Sequence, residues 1–204
     1  MSRSALPGVA ADDVGMRVFV AVVPPEPVLE HLEHRLEPRR ATPGPRWTPP
    51  GQWHLTLAFA GDAPARTLEP LLERLREVAA RHPAPHLRVR GAGCFPDVTR
   101  ARVLWAGLAA DEGLARLAAA ARSALAVAGA APQGGPFVPH LTLARFPRPL
   151  EATRWVRVLH GYEGPPWVAD ELVLVESHLP RSAGHRPRHE TLAGFPFAHA
   201  PTTG

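Results

Sequence analysis

The pentapeptide HLTLA occurs twice in this chain, at residues 54–58 and again at residues 140–144. In each copy polar and apolar side chains alternate, which predicts a β-strand because successive side chains of a strand point to opposite faces. The histidine and the threonine of each copy share one face, and the two leucines share the other. The leucines suit a core packed against helices. We therefore expect two strands whose His/Thr faces are wet or line a cleft.

The sequence around the two copies alternates between strand-like and helix-like patterns. An apolar, β-branched run at 16–23 predicts a buried strand, and leucines at helical spacing follow it. Further strands are predicted at the two HLTLA copies, at 86–93, at 102–107, at 171–179 and near 189–197. Further helices are predicted after residue 62, at about 111–128 and near 151–159. This order predicts an α+β fold with two similar lobes. The absence of a glycine-rich phosphate loop disfavours nucleoside triphosphate and dinucleotide sites.

Length and composition indicate one globular domain. The chain has 204 residues, of which 45% are apolar, and no apolar run approaches the roughly 20 residues of a membrane helix. We expect a disordered leader at 1–15, a single bilobal domain at 16–198 and a flexible tail at 199–204. The single cysteine, Cys94, excludes an internal disulfide framework and is expected to be a small buried hydrophobe. A cytoplasmic, monomeric protein without membrane attachment is the expectation.

The basic residues are all arginines. The chain has 23 Lys+Arg and a formal net charge of +4, and the sequence contains no lysine. This mild positive charge is compatible with an anionic substrate but does not by itself indicate one.

Two histidines and two threonines that meet across a cleft would suit phosphoryl chemistry. In-line displacement at phosphorus needs a proton acceptor and a proton donor on opposite sides, and two imidazoles can supply both near neutral pH. His54 and His140 are the candidates for these roles. The hydroxyls of Thr56 and Thr142 would donate to the non-bridging oxygens, and no metal is needed. The planar guanidinium group of Arg145 matches a phosphate. Arg145 can serve the site provided that a bend brings it to the face of His140.

The two motifs and their surroundings resemble the 2H phosphoesterase superfamily, and more narrowly the bacterial RNA 2′,3′-cyclic phosphodiesterases, also called 2′-5′ RNA ligases. The resemblance extends over RVFVAVVPP, RWTPPGQWHLTLAFAGD, ARVLWAGL, PFVPHLTLARF and ELVLVESHLPRSAG. It implies two pseudo-symmetric lobes around a central cleft, each an antiparallel sheet backed by helices. Relatives often carry a tyrosine in the C-terminal segment, where residues 182–192 of this chain contain histidines.

The resemblance also implies an activity and residue roles. The activity is hydrolysis of an RNA terminal 2′,3′-cyclic phosphate to a 2′-phosphomonoester, without a cofactor. His54 would be the proton donor and His140 the proton acceptor that activates water. Thr56 and Thr142 would bind the phosphate, with help from Arg145. The alternatives are a small cyclic phosphate such as an ADP-ribose derivative, 2′-5′ ligation, or an RNA-binding module without catalysis.

Other residues could serve a site but have ordinary structural explanations. His31 and His34 have a spacing that can hold a metal on a helix, but no third ligand is evident. The aromatic residues beside the motifs could stack on a base, although packing is at least as good an explanation. These aromatics are Trp47, Trp53 and Phe137. His185 and His189 could contact RNA, but plain surface positions are expected for both. No role is assigned to Ser177.

Overall fold

The computed structural model describes residues 15–179 and 187–198. The expected leader and tail fall almost wholly outside the described residues, as does His185. The helices are α1 (Glu26–Arg40), α2 (Leu68–Arg81), α3 (Gly113–Val127) and α4 (Thr153–Val158). The strands are β1 (Met16–Val22), β2 (Arg46–Trp47), β3 (Leu55–Ala63), β4 (His86–Phe95), β5 (Ala101–Ala110), β6 (His140–Leu150), β7 (Glu163–Val168), β8 (Glu171–His178) and β9 (Arg188–Pro196).

The strands of the described residues form one antiparallel sheet in the order β7-β4-β5-β6-β3-β1-β8-β9, with the short β2 paired to β6. The two HLTLA strands, β3 and β6, are the central neighbours. They pair only at Leu55 and Leu141. The sheet is therefore two four-stranded lobes joined at the two motifs, and this confirms the predicted α+β architecture.

The helices cover one face of each lobe in a crossed arrangement. Helix α1 follows β1 but packs against β7 of the other lobe, and α3 follows β5 but packs against β3. Helices α2 and α4 stay on their own lobes, against β8 and β9 and against β4 respectively. Because each lobe is covered in part by a helix that follows a strand of the other lobe, neither lobe is expected to fold alone.

The apolar pattern explains the layers. Helix α2 directs Leu71, Leu75 and Ala79 into the core, one turn apart along its length. The motif leucines lie beneath the helices, with Leu55, Leu141 and Leu143 fully buried. The face of the sheet opposite the helices is left for the histidines and threonines.

The structure adds strand β7, which the sequence pattern did not predict. Its sequence EGPPWV contains Pro165 and Pro166, which argue against a strand. Strand β7 is nevertheless compatible with both prolines because it lies at the edge of the sheet and pairs only with β4. None of the described helices has the length and apolar character needed to cross a membrane.

Candidate active site

Each motif places its histidine and threonine on the open face of the sheet. Leu55 and Leu57 are buried on the helix side, whereas His54 and Thr56 are partly exposed on the other. Residues 140–143 follow the same pattern. The predicted division of the two faces is therefore confirmed.

A matching irregularity in each motif turns the following residue toward the open face. In β3 the pairing with β1 shifts register at Leu57–Ala58, and in β6 the pairing with β5 shifts at Leu143–Ala144. Both residues of each pair are buried, which breaks strict alternation. As a result Phe59 and Arg145 lie on the same face as the histidines. This is the bend that the sequence analysis required for Arg145.

The two motifs run side by side in opposite directions. Leu55 pairs with Leu141, so the antiparallel register brings the histidine of each motif beside the threonine of the other. The charge of His140 affects the pKa of His54, as expected for groups that share one site. The structure thus brings both imidazoles and both hydroxyls together on one patch of the open face.

Both imidazole rings are oriented by the same local contact. The Nδ1 atom of His54 lies 2.7 Å from the carbonyl oxygen of Gln52. The Nδ1 atom of His140 lies 2.7 Å from the carbonyl oxygen of Val138. A carbonyl can only accept, so Nδ1 carries the proton and donates in each case. Nε2 is left as the nitrogen that can exchange a proton with a substrate.

Aromatic side chains from nearby strands pack against each histidine. The ring of Phe19 stacks on His54 with 4.6 Å between centroids and 19° between planes. Phe95 meets His140 edge-on at 5.0 Å, and Trp105 lies 6.1 Å from the same ring. These contacts restrict the rotation of both imidazoles. None of these three aromatics was predicted from the sequence, since only the sheet order shows that their strands lie within two positions of the motif strands.

A glycine makes room for one of these aromatics. Gly93 on β4 pairs with Trp105 on β5. A Cβ atom at Gly93 would lie 2.3 Å from the indole ring of Trp105. The indole therefore lies across β4 only because position 93 has no side chain.

Burial and nearby positive charge lower the pKa values of both histidines. The pKa of His54 falls from 6.5 to about 4, mainly through burial and further through the charges of His189, His140 and Arg145. The hydrogen bond to Gln52 opposes this shift. Burial also lowers the pKa of His140, again with a contribution from Arg145. In the free protein both rings are consequently neutral at pH 7.

A third histidine lies at the site. The ring of His189 on β9 approaches His54 edge-on at 5.3 Å and Phe19 at 5.1 Å. Burial lowers the pKa of His189 as well. The predicted surface position of His189 is compatible with its partial exposure, but its contact with His54 was not predicted. The contact arises because β9 lies beyond β8 and projects His189 over β1. The segment in which relatives often carry tyrosine was the available signal.

The other candidates lie elsewhere. Trp47 and Trp53 are 7% and 1% exposed, so they pack in the core and offer no surface to a base. Cys94 is buried as expected, and burial raises the pKa of its thiol to about 11. The Nδ1 atom of His31 lies 2.8 Å from the hydroxyl of Tyr162.

Two relatives with similar sequences have the same name. An RNA 2′,3′-cyclic phosphodiesterase of Thermus thermophilus is 38% identical over 174 residues, covering 80% of this chain and 83% of that protein. A protein of the same name from Geobacillus stearothermophilus is 31% identical over 160 residues, covering 76% of this chain. The chain spans about half of the length of that second relative, 48%.

Solved structures share the whole fold. The protein TT0787 of Thermus thermophilus is 31% identical, with a TM-score of 0.74 over 90% of this chain and 99% of that one. LigT of E. coli complexed with 3′-AMP is 26% identical, with a TM-score of 0.71 over 91% and 99%. The sequence pattern of the 2′-5′ RNA ligase superfamily matches residues 18–181, which include both histidine motifs. The chain belongs to the 2′-5′ RNA ligase superfamily.

Proposed function

We propose that this protein hydrolyses the terminal 2′,3′-cyclic phosphate of RNA to a 2′-phosphomonoester. The observation that carries the proposal is the pair of oriented imidazoles, His54 and His140, each with Nε2 available on one open face beside a threonine hydroxyl. Relatives named RNA 2′,3′-cyclic phosphodiesterase support the choice of substrate. A structural relative, LigT, has been crystallised with 3′-AMP, which supports a nucleotide as the ligand.

Two proton transfers accomplish the reaction. Nε2 of His140 takes a proton from water as the water oxygen bonds to phosphorus. The bond between phosphorus and O3′ breaks, and Nε2 of His54 gives its proton to O3′. The 2′-phosphate and a free 3′-hydroxyl result, and solvent exchange restores the original protonation of both rings. Thr56 and Thr142 donate to the non-bridging oxygens, and Arg145 contributes a positive charge.

The donor role of His54 requires a proton that the free site does not hold at neutral pH. Its pKa is about 4 because the ring is buried near cationic groups. A bound phosphodiester brings a negative charge next to the ring, and an adjacent anion raises the pKa of an imidazole. Substrate binding therefore takes up a proton at His54.

Turnover of an oligonucleotide with a 2′,3′-cyclic phosphate end, in EDTA, tests the activity. We expect a 2′-phosphate product and a loss on the order of 100-fold or more in His54→Gln and in His140→Gln. His34→Gln, on the exposed face of α1, is the matched control and should retain activity. Near-normal turnover in either of the first two variants would contradict the mechanism.

A substrate with a good leaving group separates the two roles. A 3′-deoxynucleoside 2′-(p-nitrophenyl phosphate) releases an anion that needs no proton. With this substrate His54→Gln should recover most of the wild-type rate, because its missing donor is not required. His140→Gln should remain slow, because water must still lose a proton. Recovery of the His140 variant instead would reverse the assignment.

We propose a monomer that acts in the cytoplasm on RNA ends. Among the described residues, the exposed large apolar side chains lie on or beside different elements rather than on one, which supports a monomer. They are Val23, Val127, Val138, Val168 and Leu179. Light scattering at assay concentration tests the monomer, and a dimer mass would contradict it.

A further inference from the structure

Two arginines lie directly opposite each other on the open face. Strand β2 pairs with β6 so that Arg46 is the partner of Arg145. The next pair, Trp47 and Ala144, is buried on the helix side. Cross-strand partners share a face, so both exposed guanidinium groups extend on the side of the histidines.

This pair has no acidic partner within the part of the chain that the structure describes. No ion pair involves Arg46 or Arg145 there. Elsewhere in the sheet, Arg88 and Arg90 on β4 both form ion pairs with Glu163 on β7. Like charges directly opposite each other destabilise a sheet. An uncompensated pair at the edge of the candidate active site indicates that a bound anion supplies the missing charge.

The two arginines differ in their distance from the reaction. Arg145 follows the second motif, and its charge lowers the pKa values of both His54 and His140. Arg46 contributes to neither shift. Arg145 therefore lies near the reacting phosphate, and Arg46 lies beside it on the neighbouring strand β2.

We propose that Arg46 binds the phosphodiester on the 5′ side of the terminal nucleotide, while Arg145 faces the reacting phosphate. This rests on the proposed function. The Cβ atoms of directly opposed residues in a sheet are about 5 Å apart. Because arginine side chains are long, the two guanidinium groups can lie farther apart than this and contact consecutive phosphates of a single strand. The pair would therefore make the enzyme prefer RNA ends over cyclic mononucleotides, which have no second phosphate.

Binding of two products that differ by one nucleotide tests the inference. The probes are uridine 2′-monophosphate and a uridine dinucleotide with a terminal 2′-phosphate, titrated calorimetrically into the full-length protein. In Arg46→Gln we expect about 10-fold weaker binding of the dinucleotide and unchanged binding of the mononucleotide. In a plot of the logarithm of dinucleotide affinity against the logarithm of salt concentration, the steepness of the slope should decrease by about 0.7. Arg46→Lys, which keeps the charge but loses the fork, should lie between Arg46→Gln and the wild type.

Arg76→Gln is the matched control, because it removes the same charge from an exposed position on α2. It should bind both products as the wild type does. Equal weakening of both products in Arg46→Gln would place Arg46 at the reacting phosphate and overturn the inference. Unchanged dinucleotide binding would overturn it as well. Because these are binding measurements, they decide the role of Arg46 even if the wild type fails to hydrolyse a cyclic phosphate, a result that would instead refute the proposed function.

Discussion

Replacing His54 with glutamine should make the protein more resistant to acid. The folded state holds His54 with a pKa of about 4, whereas an unfolded chain would protonate the same ring near 6.5. Between these pH values the unfolded state binds more protons than the folded state. The free energy of unfolding must therefore decrease as the pH falls through this window. Glutamine does not titrate, so the variant lacks this part of the decrease.

The size of the effect follows from the shift. A difference of one pKa unit corresponds to about 1.4 kcal/mol, so the full shift at His54 is worth roughly 3 kcal/mol below pH 4. At pH 4.5 the linkage relation gives about 2.5 kcal/mol, and at pH 7.5 it gives about 0 kcal/mol. The partial exposure of the ring makes these values upper bounds. His140 and His189 also have lowered pKa values, so the variant keeps their share of the acid sensitivity.

Urea unfolding followed by circular dichroism at pH 7.5, 6.5, 5.5 and 4.5 provides the assay. His54→Gln loses the hydrogen bond to Gln52 and is expected to be less stable than the wild type at pH 7.5. When the pH is lowered from 7.5 to 4.5, the free energy of unfolding of the variant should fall by up to about 2.5 kcal/mol less than that of the wild type. His34→Gln, at an exposed position of α1, is the control for removal of a histidine. Parallel stability curves for His54→Gln and the wild type would refute the claim that burial lowers the pKa of His54.

Three further substitutions test the surroundings of the histidines. His189→Phe should raise the pKa of His54, because the charge of His189 lowers that pKa and its ring lies 5.3 Å away. An NMR titration of the His54 ring measures this pKa, and an unchanged midpoint would exclude the electrostatic contact. Gly93→Ala should destabilise the protein by about 1–3 kcal/mol in urea unfolding, because the new methyl group would clash with the ring of Trp105. Wild-type stability would show that the indole can move without a loss of free energy. Thr142→Val keeps the shape and strand preference of the side chain but removes its hydroxyl. The value of kcat/KM for the cyclic phosphate should therefore fall on the order of 10-fold or more, while stability is unchanged. Full activity would mean that the hydroxyl does not contact the phosphate.

The duplicated motif made much of the candidate site predictable. Alternation along HLTLA separates the polar and apolar faces of each strand, and the structure confirms that separation at Leu55 and Leu141. Arg145 was a candidate only on condition of a bend, because simple alternation points it to the wrong face. The register shift at Leu143–Ala144 supplies that bend. Such a shift depends on the pairing with β5, which local sequence does not specify.

The missed residues share one property. Phe19, Phe95, Trp105 and His189 come from four strands that are remote from the motifs along the chain. Each strand was expected from its apolar pattern, but its place in the sheet was not. Strand β7 was missed for another reason, because its two prolines are compatible with a strand only at an edge.

The sequence by itself determined the helices and all strands except β2 and β7. It also determined the identity of the paired histidines and threonines, and which face of each motif is polar. These properties follow from side chains a few residues apart, whose periodicity is set by backbone geometry. Only the tertiary structure decided that β3 and β6 are neighbours, that Phe19 and His189 surround His54, and that Arg46 lies opposite Arg145. Strand pairing is a long-range choice governed by the burial of the whole sheet against its helices, and no local pattern encodes it.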